Sequence, residues 1–527
     1  MKVNHIFLKE GKSLLLLLLL LFALSIYFYK DNICWFPRYI HAWSQSDHYS
    51  LALGFEQNGL DFFHPESHSL NVQFSAENKL VNEQGITAVD FPINNYIVGI
   101  LMKITGIKSP SIFRIYMLLY SCVGLIFLFL LSKLISKSNV FSGFVVLFTF
   151  TAPVFTYYQD GFLPTISSLA NVFIGFYYYY HYKKEKEIKF LYIGIVFFTL
   201  AALSRTPFAI FLLSALGIEV LTALKQKKLD FKIIKAFSFS ISMIGIYFLY
   251  NAWLRKTYGS IFLSSILPPE SISDLKQIYN LAYDNWFFQY FTRYHYFILI
   301  TFLAFFGYVF HTKMDSIEQS KCSWFVLFII LSLVGALVYS ILMAQQFQYH
   351  DYYFLDTFFI VFISMLLSSG RAYRYLKNKF VKIIFFAILT IASYLMTTQS
   401  KSIQNSRNKT ESWDRVEITT QNFLESEHFL DSLKISPLAK ILVIDAYAPN
   451  IPLILMNRKG YYVLTTSSEN IIKSLTYNYN YVVIQDQFLM SDVIASYPDL
   501  LKKLEKIAGN GKISIYKKLG KKNYNSL

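Results

Sequence analysis

Residues 12–29 read KSLLLLLLLLFALSIYFY, and this stretch decides the class of fold. Its apolar part begins at Ser13 and is long enough to cross about 30 Å of hydrocarbon as a helix. Because no small-residue cleavage site follows it, we interpret it as an uncleaved first membrane span rather than a signal peptide. Lys9 and Lys12 precede the span, which predicts that the N-terminus lies on the cytoplasmic side.

The composition of the whole chain agrees with a membrane protein. Of 527 residues, 54% are hydrophobic and only 16% are charged, whereas about a quarter are charged in an ordinary soluble protein. In a soluble chain the net charge of +16 would suggest nucleic acid, but in a membrane protein Lys and Arg collect on the cytoplasmic side. We therefore predict no nucleic-acid partner. Cys34, Cys122 and Cys322 have no metal-ligand spacing and imply no disulfide framework.

Ten further apolar runs follow the first span, so the sequence predicts about eleven transmembrane helices. The runs cover residues 111–132, 140–158, 162–181, 190–205, 207–224, 233–253, 296–310, 322–342, 353–369 and 380–398. Lys and Arg gather in alternate loops, such as 183–189 and 225–235, while the short turns between those loops hold one basic residue. This positive-inside pattern predicts a multi-pass protein of the cytoplasmic (inner) membrane with its C-terminus outside.

Three segments are too polar to cross the bilayer, and the topology puts all of them on the outer face. They are the loop over residues 30–110, the loop over about 255–294, and the tail after about Ser400. We therefore divide the chain into a transmembrane catalytic domain, residues 1–400, and an extracytoplasmic domain, residues 401–527.

The tail alternates short apolar strands with helices, which favours a small, largely parallel α/β domain. Lys440–Asp445 reads as the first buried strand and 512–517 as the last. The residues from Asp445 to Asn450 lack the glycines of a phosphate-binding loop, so the sequence does not support nucleotide binding. We expect a structural or acceptor-guiding domain.

Four polar clusters lie at the predicted outer ends of the spans, where ionisable groups are costly to place beside hydrocarbon. They are Pro37–Tyr49, Asp90–Pro92, Tyr157–Gly161 and Gln348–Tyr353. One such cluster alone is as well explained by helix capping or by an aromatic belt. Four clusters on one face indicate chemistry at the outer surface.

The order of these motifs resembles the GT-C superfamily of membrane glycosyltransferases. The resemblance rests on Trp43-Ser-Gln-Ser-Asp47, Ala52 to Gly59 and Asp90-Phe-Pro92, which follow the first helix in this order. Within the superfamily the sequence is similar to the glycosyltransferase family 39-like group, which includes protein O-mannosyltransferases and the lipid A aminoarabinose transferase. Asp160 and His350-Asp-Tyr-Tyr353 fit the same pattern, and the resemblance covers about residues 1–400.

This resemblance implies an enzyme that moves a hexose or pentose from a polyprenyl-phosphate donor to an acceptor hydroxyl, with inversion, on the outer face of the bilayer. The acceptor would be a lipid, a polysaccharide or a protein. Asp47 matches the catalytic aspartate of the first loop and is the expected general base, because an acceptor hydroxyl must lose its proton to attack. Asp160 matches the acidic position of the second outer loop and is the second expected catalytic residue. The mannosyltransferases have Asp-Glu where this chain has Asp47-His48, so protein mannosylation is in doubt.

The leaving lipid phosphate needs cations or hydrogen-bond donors. Arg205 is the only charged residue in its turn, and its alternative role is to extend from the span to the interface. The predicted substrate and lipid-phosphate ligands are Arg38, Asp90, Arg205, Arg255, His350, Tyr352 and Tyr353.

We predict no cofactor and no metal, because the relatives that use monophosphate donors generally work without one. A divalent ion is the alternative, as in relatives with oligosaccharide-diphosphate donors. The competing class of protein is a flippase or transporter of lipid-linked glycans, which would use charges in the middle of its spans. In this sequence the polar residues sit at the outer ends of the spans, which favours a transferase.

Overall fold

The computed structural model describes residues 11–71, 73, 83–228, 230–263, 265–314, 316–409 and 414–519, without the side chains of 316–322. The chain forms two compact units. The first, the helical unit, comprises Met1–Cys34, Phe113–Leu249 and Ser264–Ser406. The second, the loop–tail unit, comprises Trp35–Ile112, Tyr250–Leu263 and Arg407–Leu527. The loop after the first span and the C-terminal tail thus belong to one compact unit, while the functional division at residue 400 stays a prediction.

Helices account for most of the described residues. In chain order they are Gly11–Tyr29, Ala42–Gln57, Ile93–Thr105, Pro110–Ser136, Asn139–Phe150, Pro153–Tyr158, Thr165–Glu185, Ile188–Ser204, Ala209–Gln226, Phe231–Tyr258, Ile272–Tyr290, Arg293–Thr312, Ser316–Leu342, Ala344–Phe347, Tyr352–Asp356, Phe358–Tyr373, Lys379–Arg407, Arg415–Phe423, Ser426–Ser432, Ile451–Leu455, Ser468–Ser474 and Asp486–Phe488. Short 3₁₀ turns cover Thr206–Phe208 and Leu500–Lys502, and a single π turn covers Leu489–Ile494.

Within the described ranges, seven helical segments are long and apolar enough to cross a membrane. They are Gly11–Tyr29, Pro110–Ser136, Thr206–Gln226, Phe231–Tyr258, Arg293–Thr312, Ser323–Leu342 and Lys379–Arg407. Three shorter apolar helices are Asn139–Phe150, Ile188–Ser204 and Phe358–Tyr373. Every predicted apolar run overlaps at least one of these helices, and the prediction of a polytopic α-helical membrane protein is confirmed.

Two of the predicted spans are broken rather than continuous. The run 140–158 divides at Thr151 and Ala152 because Pro153, which lacks a backbone N–H, begins a new short helix. The run 353–369 divides at Thr357, whose φ of −131° and ψ of −78° are not helical. Hydropathy averaged over a window cannot detect such breaks. Both breaks lie beside residues that the sequence had marked for function.

The tail contains a five-stranded sheet. Its strands are β1 (Ile441–Ile444), β2 (Gly460–Val463), β3 (Tyr481–Gln485), β4 (Leu504–Gly509) and β5 (Ile513–Lys518). Their order is β2-β1-β3-β5-β4; β1 runs parallel to β2 and β3, while β5 runs antiparallel to β3 and β4. The small α/β domain is therefore confirmed, but the sheet is mixed rather than largely parallel. The sequence analysis missed β4, an edge strand whose residues are mostly exposed.

The central strands of this sheet are buried on both faces, as continuous apolar runs require. One face contributes Ile441, Val443 and Val483 to a core beneath the helices that precede β1. The opposite face contributes Leu442 and Ile444 to a second core with the segments around β3 and β4. This double burial fixes the position of the loop that leaves the carboxyl end of β1.

The long first loop extends the sheet at its β2 edge. The Leu70 N–H donates to the Gly460 carbonyl at 2.7 Å, and the Gly460 N–H donates to the His68 carbonyl at 3.0 Å. The Asn71 side chain continues the pairing, because it both donates to and accepts from the backbone of Tyr462 at 3.0 and 2.9 Å. Loop and tail are therefore joined by backbone hydrogen bonds within the loop–tail unit.

Close packing of small residues holds the helical unit together. A Cβ atom on Gly124 would lie 2.6 Å from the Cα and Cβ atoms of Ala170, closer than two carbons can approach. The helices Pro110–Ser136 and Thr165–Glu185 therefore meet through small residues, as is common between membrane helices.

We expect Gly124→Ala to destabilise the protein by about 1–3 kcal/mol through overpacking, although alanine favours helix more than glycine does. The matched control is Gly143→Ala, where a Cβ meets nothing within 4 Å. This variant should gain up to about 1 kcal/mol from helix propensity. Thermal unfolding in detergent measures both effects. A Gly124→Ala protein as stable as wild type would contradict the packing argument.

Candidate active site

Asp47 lies on the helix Ala42–Gln57 in the loop–tail unit and is only 3% exposed. Tyr39 and His41, just before this helix, have φ values of 62° and 56°, so the chain enters the helix through a sharp change of direction. The Asn450 Nδ2 group donates a hydrogen bond of 2.8 Å to the Asp47 Oδ1 atom. The predicted catalytic aspartate is therefore buried and held by a residue of the tail.

Asn450 is itself held by two donors. Its Oδ1 atom accepts from the Ser50 hydroxyl at 3.2 Å and from the Ser69 N–H at 3.1 Å. The Nδ1 atom of His68 lies 2.9 Å from the Ser50 Oγ atom, and the His68 N–H donates to the same oxygen. Asp47 is thus one end of a buried network that joins the first loop to the tail.

Burial controls the electrostatics of this network. Loss of hydration raises the pKa of Asp47 to about 7, and hydrogen bonds from Asn450 and Trp43 oppose the shift. Burial lowers the pKa of His68 to about 3, and the positive charges of Lys459 and Lys108 lower it further. At neutral pH His68 is therefore uncharged, while the Asp47 carboxyl titrates near neutrality. A general base works best when its pKa is near the working pH.

Two predicted phosphate ligands of the loop–tail unit interact with acids. The Arg38 Nε atom donates to Glu417 Oε1 at 2.9 Å, and the Arg38 guanidinium lies 4.9 Å from the centre of the Tyr39 ring. Arg255 interacts electrostatically with Asp90, another of the predicted substrate ligands. Their roles toward a phosphate stay predictions.

In the helical unit, Asp160 forms an ion pair that the sequence did not reveal. The Arg114 Nη1 atom lies 3.0 Å from the Asp160 Oδ2 atom, and the two residues are 7% and 1% exposed. The same nitrogen donates to the Asp160 carbonyl at 3.3 Å, and the guanidinium lies 4.8 Å from the centre of the Phe162 ring. A second catalytic role for Asp160 stays a prediction.

Arg205 also has a buried acidic partner. Its Nε and Nη2 atoms lie 2.9 and 2.8 Å from the Asp356 Oδ2 atom, and the Thr165 hydroxyl donates to the other carboxylate oxygen at 2.8 Å. The guanidinium lies 5.3 Å from the ring centre of Tyr352 and 5.4 Å from that of Tyr353. The structure thus brings together Arg205, Tyr352 and Tyr353, which were predicted from two separate segments as ligands of the same phosphate.

His350 completes this second cluster. Its ring centre lies 5.4 Å from that of Tyr352, and its Nδ1 atom is 3.2 Å from the Gln346 carbonyl oxygen. The neighbouring Asp351 accepts from the Tyr158 hydroxyl at 2.6 Å. In the part of the chain that the structure describes, no three His, Cys, Asp or Glu side chains form a group that could hold a metal ion. The prediction that no metal is needed remains open to test.

The direct partners of the predicted site residues that sequence reasoning missed include Asn450, Arg114, Asp356 and Glu417. Asp356 had a signal, because it is an acid within the apolar run 353–369. Arg114 had one too, as a cation near the start of the run 111–132. Asn450 and Glu417 had none, because each lies in a polar part of the tail more than 370 residues from its partner.

The apolar helices and the small mixed sheet together define a polytopic membrane protein whose fold is similar to that of solved ArnT structures. ArnT from Cupriavidus metallidurans bound to undecaprenyl phosphate matches with a TM-score of 0.62 and 8% identity, over 97% of this chain and 99% of that one. Its apo structure matches with a TM-score of 0.57 and 9% identity, over 96% and 98%.

The arabinofuranosyltransferase AftD from Mycobacteria matches with a TM-score of 0.50 and 11% identity, over 96% of this chain but 40% of that one. No protein-family model matches the sequence, and no curated protein matches it. The resemblance to the GT-C superfamily is thus confirmed at the level of the fold.

The Arg114–Asp160 pair allows a test of stability. We expect Arg114→Met to destabilise the protein by about 3–5 kcal/mol, because it leaves the Asp160 charge buried without its cation. The double variant Arg114→Met/Asp160→Asn should recover part of the loss. Thermal unfolding of both variants in detergent measures this coupling.

The control for this experiment is Lys502→Met, which breaks the exposed pair with Asp499 and should leave the unfolding midpoint unchanged. If Arg114→Met and the double variant were equally destabilised, the uncompensated charge would not be the cause.

Proposed function

We propose that this protein is an inverting glycosyltransferase that moves a sugar from a polyprenyl-phosphate donor to an acceptor hydroxyl at the outer face of the membrane. One observation carries the proposal: Asp47 is a buried carboxyl held by a hydrogen bond from Asn450, in a chain that has the GT-C fold. Burial also raises the pKa of this carboxyl toward neutrality. The similar ArnT structure contains undecaprenyl phosphate, which supports a lipid phosphate as the donor's carrier.

In this mechanism the ionised Asp47 carboxylate accepts the proton of the acceptor hydroxyl as that oxygen attacks the anomeric carbon. The bond between the anomeric carbon and the phosphate oxygen breaks on the opposite side, so the configuration inverts in a single displacement. The electron pair of the broken bond leaves with the polyprenyl phosphate. A buried base serves this step because it needs little solvent reorganisation.

The second cluster suits the leaving group. Asp356 and two tyrosine rings orient the Arg205 guanidinium, and a planar guanidinium matches the geometry of a phosphate. We propose that Arg205, with His350, Tyr352 and Tyr353, stabilises the charge that develops on the lipid phosphate. Arg38 and Arg255 remain further candidates for the same task, and Asp90 would then orient Arg255.

The proposal is tested with the purified full-length protein in lipid nanodiscs. Undecaprenyl phosphate should bind, as native mass spectrometry would show, and undecaprenol, which lacks the phosphate, should bind much more weakly. With undecaprenyl-phosphate pentoses and hexoses as donors and a panel of hydroxyl acceptors, Asp47→Asn should lower transfer by about 10²–10⁴-fold while leaving lipid binding intact.

The matched control is Asp61→Asn, an exposed aspartate of the same loop whose substitution should not change transfer. Full transfer by the Asp47→Asn protein would contradict the role of the base. Binding of the lipid phosphate without transfer from any donor would instead favour the flippase or transporter.

The pKa of Asp47 predicts the pH dependence of transfer. Below pH 7 the carboxyl is mostly protonated and cannot accept a proton, so the rate should fall about tenfold for each further pH unit. Above about pH 8 the rate should reach a plateau. Initial rates at saturating donor between pH 5 and 9 measure this profile. An acid limb centred near pH 4, the ordinary value for aspartate, would contradict the assignment.

A further inference from the structure

Asn450 connects the tail to the candidate base. It lies between β1 and the helix Ile451–Leu455, is fully buried, and contacts a residue 403 positions earlier in the sequence. From its sequence alone, the tail is expected to have a structural or acceptor-guiding role. The hydrogen bond from Asn450 to Asp47 gives it a different one.

The orientation of the Asn450 amide follows from its partners. The Ser69 backbone N–H can only donate, so the amide atom facing it must be the oxygen. The NH₂ group therefore faces Asp47. The reverse orientation would place two donors against each other at Ser69 and two acceptors against each other at Asp47. The network thus presents a donor, and only a donor, to the carboxylate.

We propose that Asn450 is a positioning residue that orients the Asp47 carboxylate and stabilises its ionised form, so that the C-terminal domain completes the catalytic site. Only the catalytic role that this inference gives to Asn450 rests on the proposed function. The hydrogen bond and its effect on Asp47 are properties of the folded chain, whatever the protein transfers.

The loop that carries Asn450 is built to hold it in place. Asp445 and Tyr447 have φ values of 64° and 54°, a region that non-glycine residues seldom adopt, so the loop turns sharply as it leaves β1. The Thr466 hydroxyl donates to Asp445 at 2.8 Å. Ala448, near the end of the loop, packs with Ala42 at the start of the helix that bears Asp47. These contacts hold the loop in a fixed position between the sheet and the helix that bears Asp47.

Other titratable groups lie near Asp47 in the sequence or in the fold. His48 is next to it on the same helix, and Tyr462 lies on β2, where burial raises the tyrosine pKa and the charge of Asp47 raises it further. His68, reached through Ser50, has a pKa of about 3 and does not titrate near neutrality. A test must therefore observe Asp47 itself rather than a property of the whole site.

Dicyclohexylcarbodiimide provides such a test, because this apolar reagent modifies protonated carboxyl groups and leaves carboxylates intact. Labelling of Asp47 in the full-length protein, measured by peptide mass spectrometry between pH 4 and 10, should decline with a midpoint near 7. Asn450→Ala removes the donor and should move the midpoint upward by about one pH unit. Asn450→Asp keeps the shape but adds a second carboxyl, so the shift should be larger.

The control is Asn422→Ala, which removes a partly buried amide donor of the same domain that bonds to Gln485 rather than to Asp47. Its midpoint should equal that of wild type. If Asn450→Ala does not fold, the isosteric Asn450→Asp variant supplies the result. An unchanged midpoint in a folded Asn450 variant would overturn the proposal. Full sugar transfer by Asp47→Asn would instead overturn the proposed function, so the two failures are distinguishable.

Discussion

A carboxylate that leaves water loses several kcal/mol of hydration and has to be compensated where it lies. The structure meets this constraint in two ways. Asp160 and Asp356 each lie against a guanidinium, from Arg114 and Arg205. Asp47 accepts hydrogen bonds from neutral groups. The positions of these partners decide how loops distant in sequence come together in each unit.

The two kinds of compensation have different chemical consequences. A guanidinium stays charged at any biological pH, so it favours the ionised form of the partner carboxylate and orients it. A neutral amide carries only a dipole, so the carboxyl that it contacts can still take up a proton. Of the two aspartates that the motifs singled out, Asp47 therefore has the environment of a proton acceptor. The pairing of Asp160 with Arg114 suits an orienting role.

A structural feature can be predicted from the sequence when residues close together in the chain determine it. The membrane helices were predictable, because hydropathy is a property of contiguous residues. The strand β4 was not, since its sequence, Leu-Glu-Lys-Ile-Ala-Gly, is that of an exposed edge and lacks a continuous apolar run. The family resemblance identified Asp47, but no local pattern could identify Asn450. Its function arises only when the loop after β1 folds against a helix near the start of the chain.

The pairing of residues 68–71 with β2 protects a sheet edge that the isolated C-terminal domain would expose. A sheet edge with free N–H and C=O groups is a template for pairing with other chains, and folded proteins cover or disrupt such edges. At β4 the edge is interrupted by an irregular register and bears Glu505 and Lys506, whereas at β2 the first loop covers it. The C-terminal domain excised from the rest would expose that apolar edge to self-association. The first loop thus closes this edge of the sheet, although it precedes the sheet by hundreds of residues in the sequence.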